Sequence, residues 1–449
     1  MQDLWWCGYN RCGGGGAKRL TARTLLGVRL FFMTTHTPLR PVFVVVGVLF
    51  AVGTASAEPD EFARLSLQQS IARAIERNPM VVESALEWRR VQGAADGVAG
   101  VLADNPVVSA EAGLRRDQGW RGNQNSLAVR IEQPLDLFGQ ASTRRQAASD
   151  VVVWAKARLT LARAEIAARA RFVYVAAQVA STRIALCQER LATARQTAEA
   201  LRMRVRLGAS SDIDLGMAEA ESGRAEAALQ SAQVQESRSL LALRDLLALP
   251  ARAGALPSDV LTPPPASVPT EMGQESLLAH HFAVQAVEKR RLAIDSEISR
   301  LERERLPRLA VGLAAERPST EERFLGVGLS FSPALWRRNQ GPLAEARVER
   351  ERVDFERATT LAGLERRWVA LREEQTQRLQ ELTAVERTLQ SEESVRSLVR
   401  TGWQAGKFDF LRVLLAERSV ADTKQARLDL WAELWTNVIE MNRLLGQES

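Results

Sequence analysis

Between Gln140 and Leu207 the sequence runs without a proline or a glycine. Small and apolar side chains recur along it at alternating steps of four and three: Ile166, Ala170, Val173, Ala177, Ala180, Ile184, Cys187, Leu191, Ala194, Ala198, Leu201 and Val205. A seam sustained at that period predicts one helix that packs along its whole length against other helices. At 1.5 Å per residue, about 68 residues reach roughly 100 Å. The many alanines allow close approach, and Cys187 falls on the seam as a packing residue.

Gly208 ends this helix in the manner of a C′ residue, and Ser211 or Asp212 caps the next, from about 213 to Leu249. Upstream, "LSLQQSIARAIERNP" starts a shorter helix with a capping box of Ser66 and Gln69; Pro79 interrupts the pattern, which resumes to about Ala103. The proline-rich stretch "LPARAGALPSDVLTPPPASVPTE" predicts a linker that neither helix nor strand absorbs. Beyond it the same plan returns: helices over about 274–305, 340–401 and 408–445, with a glycine turn before the last. "RLGASSDIDLGMAEAE" from Arg206 and "QAGKFDFLRVLLAER" from Gln404 correspond, each glycine (Gly208, Gly406) followed by Ala-Glu, as Ala218-Glu219 and Ala416-Glu417. Pro106 matches Pro307, and Pro134 matches Pro333. The chain reads as a tandem duplication: a first repeat over 58–253, a linker over 254–273 and a second repeat over 274–449. In each half the two shorter helices stacked end to end match the long one, so each half predicts two long antiparallel columns.

Residues 1–57 read as a leader. From Met33, a basic Arg40, an apolar run from Val42 to Val52 and Ala55-Ser56-Ala57 have the layout of a secretory signal peptide. The run is too short to span a bilayer, which takes roughly 20 residues. Residues 1–32 read as an over-extended frame. Of 60 basic and 54 acidic side chains the leader holds six and one, leaving 54 and 53 beyond it. The remainder is near neutral and gives no argument for nucleic acid. Cys7 and Cys12 leave with the leader, so Cys187 alone remains and no internal disulfide framework is expected. No cysteine follows Ala57, which excludes lipid attachment there.

Four segments change period. Val108, Ala110, Ala112 and Leu114 alternate with Ser109, Glu111, Gly113 and Arg115; Leu127, Val129 and Ile131 alternate with Ala128, Arg130 and Glu132. In the second half Leu309, Val311 and Leu313 alternate with Arg308, Ala310 and Gly312, and Leu325, Val327, Leu329 and Phe331 alternate with Gly326, Gly328, Ser330 and Ser332. These are strands with one apolar face, joined as hairpins by "RDQGWRGNQN" and "RPSTEER". Export, strand length and alternation together suit transmembrane strands of roughly 9–11 residues. Four strands cannot close a barrel and an open edge cannot face lipid, so such a chain must oligomerise. Dimer, trimer and tetramer remain open on this argument.

"LSLQQSIARAIERNP", the first tip, "LAVRIEQPLDLFGQ" and "VGLSFSPALWRRNQGPLAEA" resemble the N-terminal helix, helical turn and strand-to-helix crossings of the TolC-like outer-membrane efflux proteins. The "RRNQG" element at Arg337–Gly341 is most similar to the branch serving heavy-metal cation (Czc-type) pumps. The resemblance covers essentially the whole chain beyond the leader. It implies an α+β membrane protein and a homotrimer, with a twelve-strand transmembrane β-barrel above a long antiparallel α-helical barrel in the periplasm. It also implies contact with outer-membrane lipid, a periplasmic adaptor (membrane-fusion) protein and an inner-membrane pump of the proton-driven RND class. The turns around Gly208 and Gly406 then form the adaptor-docking, narrowing end, with Asp214, Ala218 and Glu219 beside the first and Ala416 and Glu417 beside the second. Some relatives place acids six and nine residues after the second tip glycine; here Arg412 and Leu415 stand there, and Asp409 is the nearest acid. Asp409 and Arg412, three apart at a helix start, share a face and form the candidate periplasmic gate.

No catalytic constellation is present, so no enzyme and no cofactor are expected. Beyond the leader the only histidines, His280 and His281, are adjacent rather than at ligand spacing and align with Asn78-Pro79, which points to structure rather than metal. Met80, Met203, Met217, Met272 and Met441 are scattered. The expected function is a passive exit duct of a tripartite efflux system for heavy-metal cations. A same-fold duct for organic compounds or type I secretion, and a periplasmic coiled-coil scaffold that never enters lipid, are the alternatives.

Overall fold

The computed structural model describes residues 63–98, 104–116, 123–249, 255–265, 280–317, 323–336 and 338–446. The chain divides into two units, Met1–Ala57 and Glu58–Ser449, and every described residue belongs to the second. The leader expectations, the hairpin tips 117–122 and 318–322, and residue 337 of the "RRNQG" element lie outside the described residues.

In chain order the elements are β1 (Ala63–Leu65), α1 (Leu67–Arg77), α2 (Pro79–Val98), β2 (Val107–Arg116), β3 (Asn123–Leu135), α3 (Gln140–Arg206), α4 (Asp212–Leu246), β4 (Ala255–Pro257), α5 (Phe282–Arg303), β5 (Arg308–Arg317), β6 (Phe324–Ser332), α6 (Gln340–Gln404) and α7 (Phe410–Leu445). Helix α3 has 67 residues and α6 has 65. None of the twelve seam residues of α3 is exposed, because α1, α2, α4, α5 and α7 all pack on that helix. Helix α6 packs on α5 and α7. The wall therefore runs from the column of α2, α1 and α4 through α3 to the column of α5 and α7, and ends at α6.

Short helices join end to end where the columns break. Ser66 and Gln69 form the expected capping box. At the first break, Asn78 Oδ1 accepts from Met80 N at 3.0 Å, and Pro79 takes the first helical position, where its missing N–H costs nothing. The continuous helix expected over 274–305 is instead interrupted at His281, and residues 274–279 are outside the described part. The buried His281 ring does for α5 what Asn78 does for α2: Nδ1 accepts from Ala283 N at 3.1 Å. Leu243, Leu246 and Leu247 at the end of α4 bury against Ala74, Val81, Ile166 and Ala170, and Met441 and Leu444 of α7 against Trp368 and Leu371. A fully buried leucine contributes about 1.5–3 kcal/mol, so these clusters fix the column joints.

The linker expectation also needs correction. Ala255–Pro257 form β4 and pair in parallel with β1, Ala63 opposite Ala255 and Leu65 opposite Pro257. Proline is tolerated because it ends the strand. Tyr174 of α3, buried, secures this corner: its hydroxyl donates to Leu65 O at 3.0 Å or Asp259 Oδ2 at 2.9 Å, while Gln178 donates to Asp259 O at 2.8 Å.

The remaining strands form one sheet in the order β2-β3-β5-β6, antiparallel throughout. The two hairpins join through β3 and β5, leaving β2 and β6 as edges.

Candidate functional site

The register carries the alternation of single strands across all four. Val108, Ile131, Leu313 and Val327 form one row, and Ala110, Val129, Ala315 and Leu325 the next. On the opposite face Ser109, Arg130, Ala314 and Gly326 align, then Glu111, Ala128, Glu316 and Phe324. The apolar face is exposed in the protomer, including Leu114, Leu127, Leu329 and Phe331. A continuous exposed apolar surface of this kind marks a membrane or partner contact. The other face carries an ion pair, Arg130 to Glu316 at 2.7 Å, which ties β3 to β5 across the two halves. Leu137, Phe138, Leu335 and Trp336, at the crossings into α3 and α6, are also exposed. Aromatic residues at such a level suit a membrane–water boundary.

At the other end, both helical turns close by the same backbone device. Gly208 N–H bonds to Val205 O and Ala209 N–H to Arg204 O; Gly406 N–H bonds to Trp403 O and Lys407 N–H to Gly402 O. This closure needs a left-handed residue, and Gly208 and Gly406 have φ of 71° and 73°. Asp214 completes a capping box with Ser211 at the start of α4. Ala218 is buried and Ala416 half-buried, so both space helices within the wall. Glu219 pairs with Arg202 at 2.8 Å, and Glu417 with Arg396 at 3.7 Å and Arg400 at 4.0 Å, so each glutamate of the repeated Ala-Glu bridges to the other helix of its own hairpin. Asp409 and Arg412 stand 3.5 Å apart, with side chains 64% and 63% exposed. Arg412 also lies over the Phe408 ring at 5.3 Å. An exposed pair of this kind contributes about 0–1 kcal/mol.

Two groups near the tips escaped the sequence reading. Arg204 stacks on Trp403 at 4.1 Å, joining α3 to α6. Deeper in, Glu221 of α4 accepts from Arg190 of α3 at 2.7 Å, from Arg418 of α7 at 2.6 Å and from Arg224 at 3.0 Å. Burial pushes its carboxyl up, but Arg190 and Arg418 outweigh that and hold it below the ordinary carboxylate range. No local signal could reveal this cluster, because Arg190 and Arg418 are 31 and 197 residues away. Beside it lies a cavity of about 330 Å³ with Cys187, Ala194, Val413 and Leu414 in its wall. Burial pushes the half-buried Cys187 thiol up, as for a packing residue. Among the described residues no group of three or more His, Cys, Asp or Glu could hold a metal ion, and no helix is long and apolar enough to cross a membrane.

No family model matches the chain. It is 25% identical over 393 residues to the cobalt-zinc-cadmium resistance protein CzcC of Cupriavidus metallidurans, covering 85% of this chain and 90% of that protein. It is 26% identical over 313 residues to the nickel-cobalt-cadmium resistance protein NccC of Alcaligenes xylosoxydans xylosoxydans, covering 69% of each. Among solved structures, the channel-forming CusC superposes with a TM-score of 0.70 at 17% identity, over 86% of this chain and 92% of that one. The outer-membrane protein VceC of Vibrio cholerae gives 0.69 at 17% identity, over 85% and 96%. At these identities the structural likeness speaks for the fold. Sequence and fold agree in direction: the chain is similar to CzcC and NccC over most of its length, and it shares the fold of CusC and VceC.

Proposed function

We propose that the chain is the passive outer-membrane exit duct of a tripartite efflux system, exporting heavy-metal cations driven by an inner-membrane pump. The observation that carries this reading is the sheet register, which gathers most of the apolar residues of four strands on one exposed face and Glu111, Arg130, Glu132 and Glu316 on the other. Lipid suits the first face and a wet lumen the second. The relatives named for cobalt, zinc, cadmium and nickel resistance support the cargo. The helical wall lies in the periplasm, and no step of the transport calls for a catalytic group.

Three copies closing twelve strands are the assembly we favour. The unpaired edges of β2 and β6 cannot remain open in lipid. The helical wall likewise ends in two edges with exposed apolar residues, Val348, Phe355 and Val369 on α6 and Leu86, Val234 and Leu241 on α2 and α4. Each edge suits the opposite edge of another copy. The repeats 58–253 and 274–449, joined by 254–273, then each contribute one hairpin and one tip. The tips, with exposed Leu207, Ile213, Leu411 and Leu415, take the periplasmic adaptor, which connects to a proton-driven RND pump; Asp409 and Arg412 border the entrance.

The purified protein in planar bilayers should show discrete single-channel steps, and a host lacking it should become more sensitive to cobalt, zinc or cadmium. A protein extracted without detergent that conducts no current would overturn the duct reading in favour of a periplasmic scaffold.

A further inference from the structure

The two strand-to-helix crossings are held by the same clamp. Gln140 Oε1 accepts from Phe138 N–H at 3.1 Å, and Gln340 Oε1 from Arg338 N–H at 3.0 Å. Between the members of each pair stands a left-handed residue, Gly139 with φ of 81° and Asn339 with φ of 54°. Both crossings are also tied to the stretch that joins α5 to β5. Gln140 Nε2 donates to Pro307 O at 3.4 Å, and Asn339 Nδ2 donates to Leu301 O at 3.1 Å. Phe138, Arg338, the first two turns of α3 and α6 and residues 301–307 therefore share one level. The clamped position carries an exposed phenylalanine in the first half and an exposed arginine in the second.

Most charges at this level cancel in pairs. Arg144 meets Asp136 at 3.3 Å, Arg300 meets Glu304 at 2.6 Å, Arg347 meets Glu302 at 3.3 Å and Arg308 meets Asp104 at 4.0 Å. Arg145, Arg303, Arg305 and Arg338 are exposed, and none of them has a carboxylate partner among the described residues. Arg145 and Arg338 each use Nε on a backbone carbonyl, Ala141 O at 3.3 Å and Ala334 O at 3.2 Å, which leaves the rest of the guanidinium for a ligand. Against these four arginines Glu345 is the one unpaired carboxylate of the level among the described residues, so the level is positive.

Exposed arginines are ordinarily just solvated. These share their level with exposed Phe138 and Trp336, which continue the apolar face of the sheet. Apolar side chains in the acyl region with cationic groups just outside it are the two signals that together hold an anionic membrane surface. A guanidinium also matches phosphate with two parallel hydrogen bonds. The crossings lie at the end of the sheet next to the helical wall, so the leaflet they meet is the one nearer that wall.

We propose that this level is a collar for anionic phospholipids of the periplasm-facing leaflet, in which Arg145, Arg303, Arg305 and Arg338 hold phosphate groups while Phe138 and Trp336 enter the acyl region. The collar rests on the duct reading, which puts the sheet in lipid; that reading asks for no preference among phospholipids.

The test places the full chain in phosphatidylcholine vesicles that contain rising fractions of phosphatidylglycerol or phosphatidylcholine with brominated acyl chains. Bromine quenches nearby tryptophans, and the difference between the parent and Trp336→Phe isolates Trp336. A basic residue at an anionic surface favours it about fivefold, so phosphatidylglycerol should quench Trp336 with at least about fivefold higher affinity in about 0.1 M salt. Screening should bring that preference below about twofold in about 0.5 M salt. Arg145→Gln with Arg338→Gln should bring it below about twofold in low salt as well, whereas Arg145→Lys with Arg338→Lys should retain most of it. Arg412→Gln, at the far end of the molecule, should leave it unchanged.

Equal affinity for the two lipids in the parent, or a preference that survives the double glutamine change, overturns the collar. If the double variant does not insert, the parent decides: a preference unchanged by salt overturns the collar equally. Protein that floats with the vesicles while Trp336 stays unquenched overturns the collar and leaves the duct reading standing. Protein that does not associate with vesicles at all overturns both.

Discussion

Val327→Arg probes the central claim, that one face of the sheet meets lipid. Val327 lies near the middle of β6, opposite Leu313, and the residue is 78% exposed in the protomer. An arginine on a lipid-facing strand near the midplane costs about 2–4 kcal/mol. Three copies closing one barrel would bear about 6–12 kcal/mol together. That is comparable with the whole stability of an ordinary domain, about 5–15 kcal/mol. Ser330→Arg provides the control, since Ser330 lies three residues on, opposite Ala310, and faces the other way. There the guanidinium meets the lumen, and the expected cost is within about 1 kcal/mol. The assays are outer-membrane yield after fractionation, and urea unfolding of lipid-reconstituted protein followed by tryptophan fluorescence. Val327→Arg, and likewise Val129→Arg, should lower both, while Ser330→Arg and Ala128→Arg stay near the parent. Equal losses on both faces would refute the assignment of lipid and lumen.

Ala248 holds φ of 49° at the end of α4, in the place where Gly208 and Gly406 stand after α3 and α6. Ala248→Gly relieves the left-handed strain and should raise stability by about 0.5–1 kcal/mol in urea titration. Conversely, Gly406→Val forces a β-branched residue into that region and should lower it by about 1–2 kcal/mol. The His281 pKa is pushed below its ordinary 6.5, first by burial and then by Arg443. A depressed value means the stabilisation is full above pH 6.5 and is lost as pH falls through the folded value. Protonation also turns the Nδ1 cap acceptor into a donor, so thermal melting of the parent should weaken below about pH 6, and His281→Asn should flatten that dependence. Arg412→Ala, breaking an exposed pair, should change stability by less than about 1 kcal/mol in urea titration.

The residues that announced themselves in the sequence did so through local physics. The twelve-residue seam of α3, the capping box at Ser66, the tip glycines and the alternation of β2, β3, β5 and β6 all follow from a side-chain period or a cap confined to a few neighbours. Such signals survive without knowing what lies opposite. The places where that reading failed share a different character. The pairing of β1 with β4 involves three residues each, too few to show a period, and joins segments 192 residues apart, from Ala63 to Ala255. The break at His281 hid because an imidazole took the capping role that asparagine and proline fill at Asn78-Pro79. Glu221 has Arg224 within one turn, an ordinary helix-surface pairing, while Arg190 and Arg418, which draw it between helices, lie 31 and 197 residues away.

By itself, then, the sequence determined the long helices, the strand alternation and the turn chemistry, because each depends on bonds and contacts between near neighbours. Only the tertiary structure decided which strand rows align, that the glutamates of the Ala-Glu pairs bridge the two helices of their own hairpins and that Glu221 joins α3, α4 and α7. Those facts depend on side chains brought together from tens to hundreds of residues away, where burial and charge are properties of the assembled surface rather than of any stretch of chain.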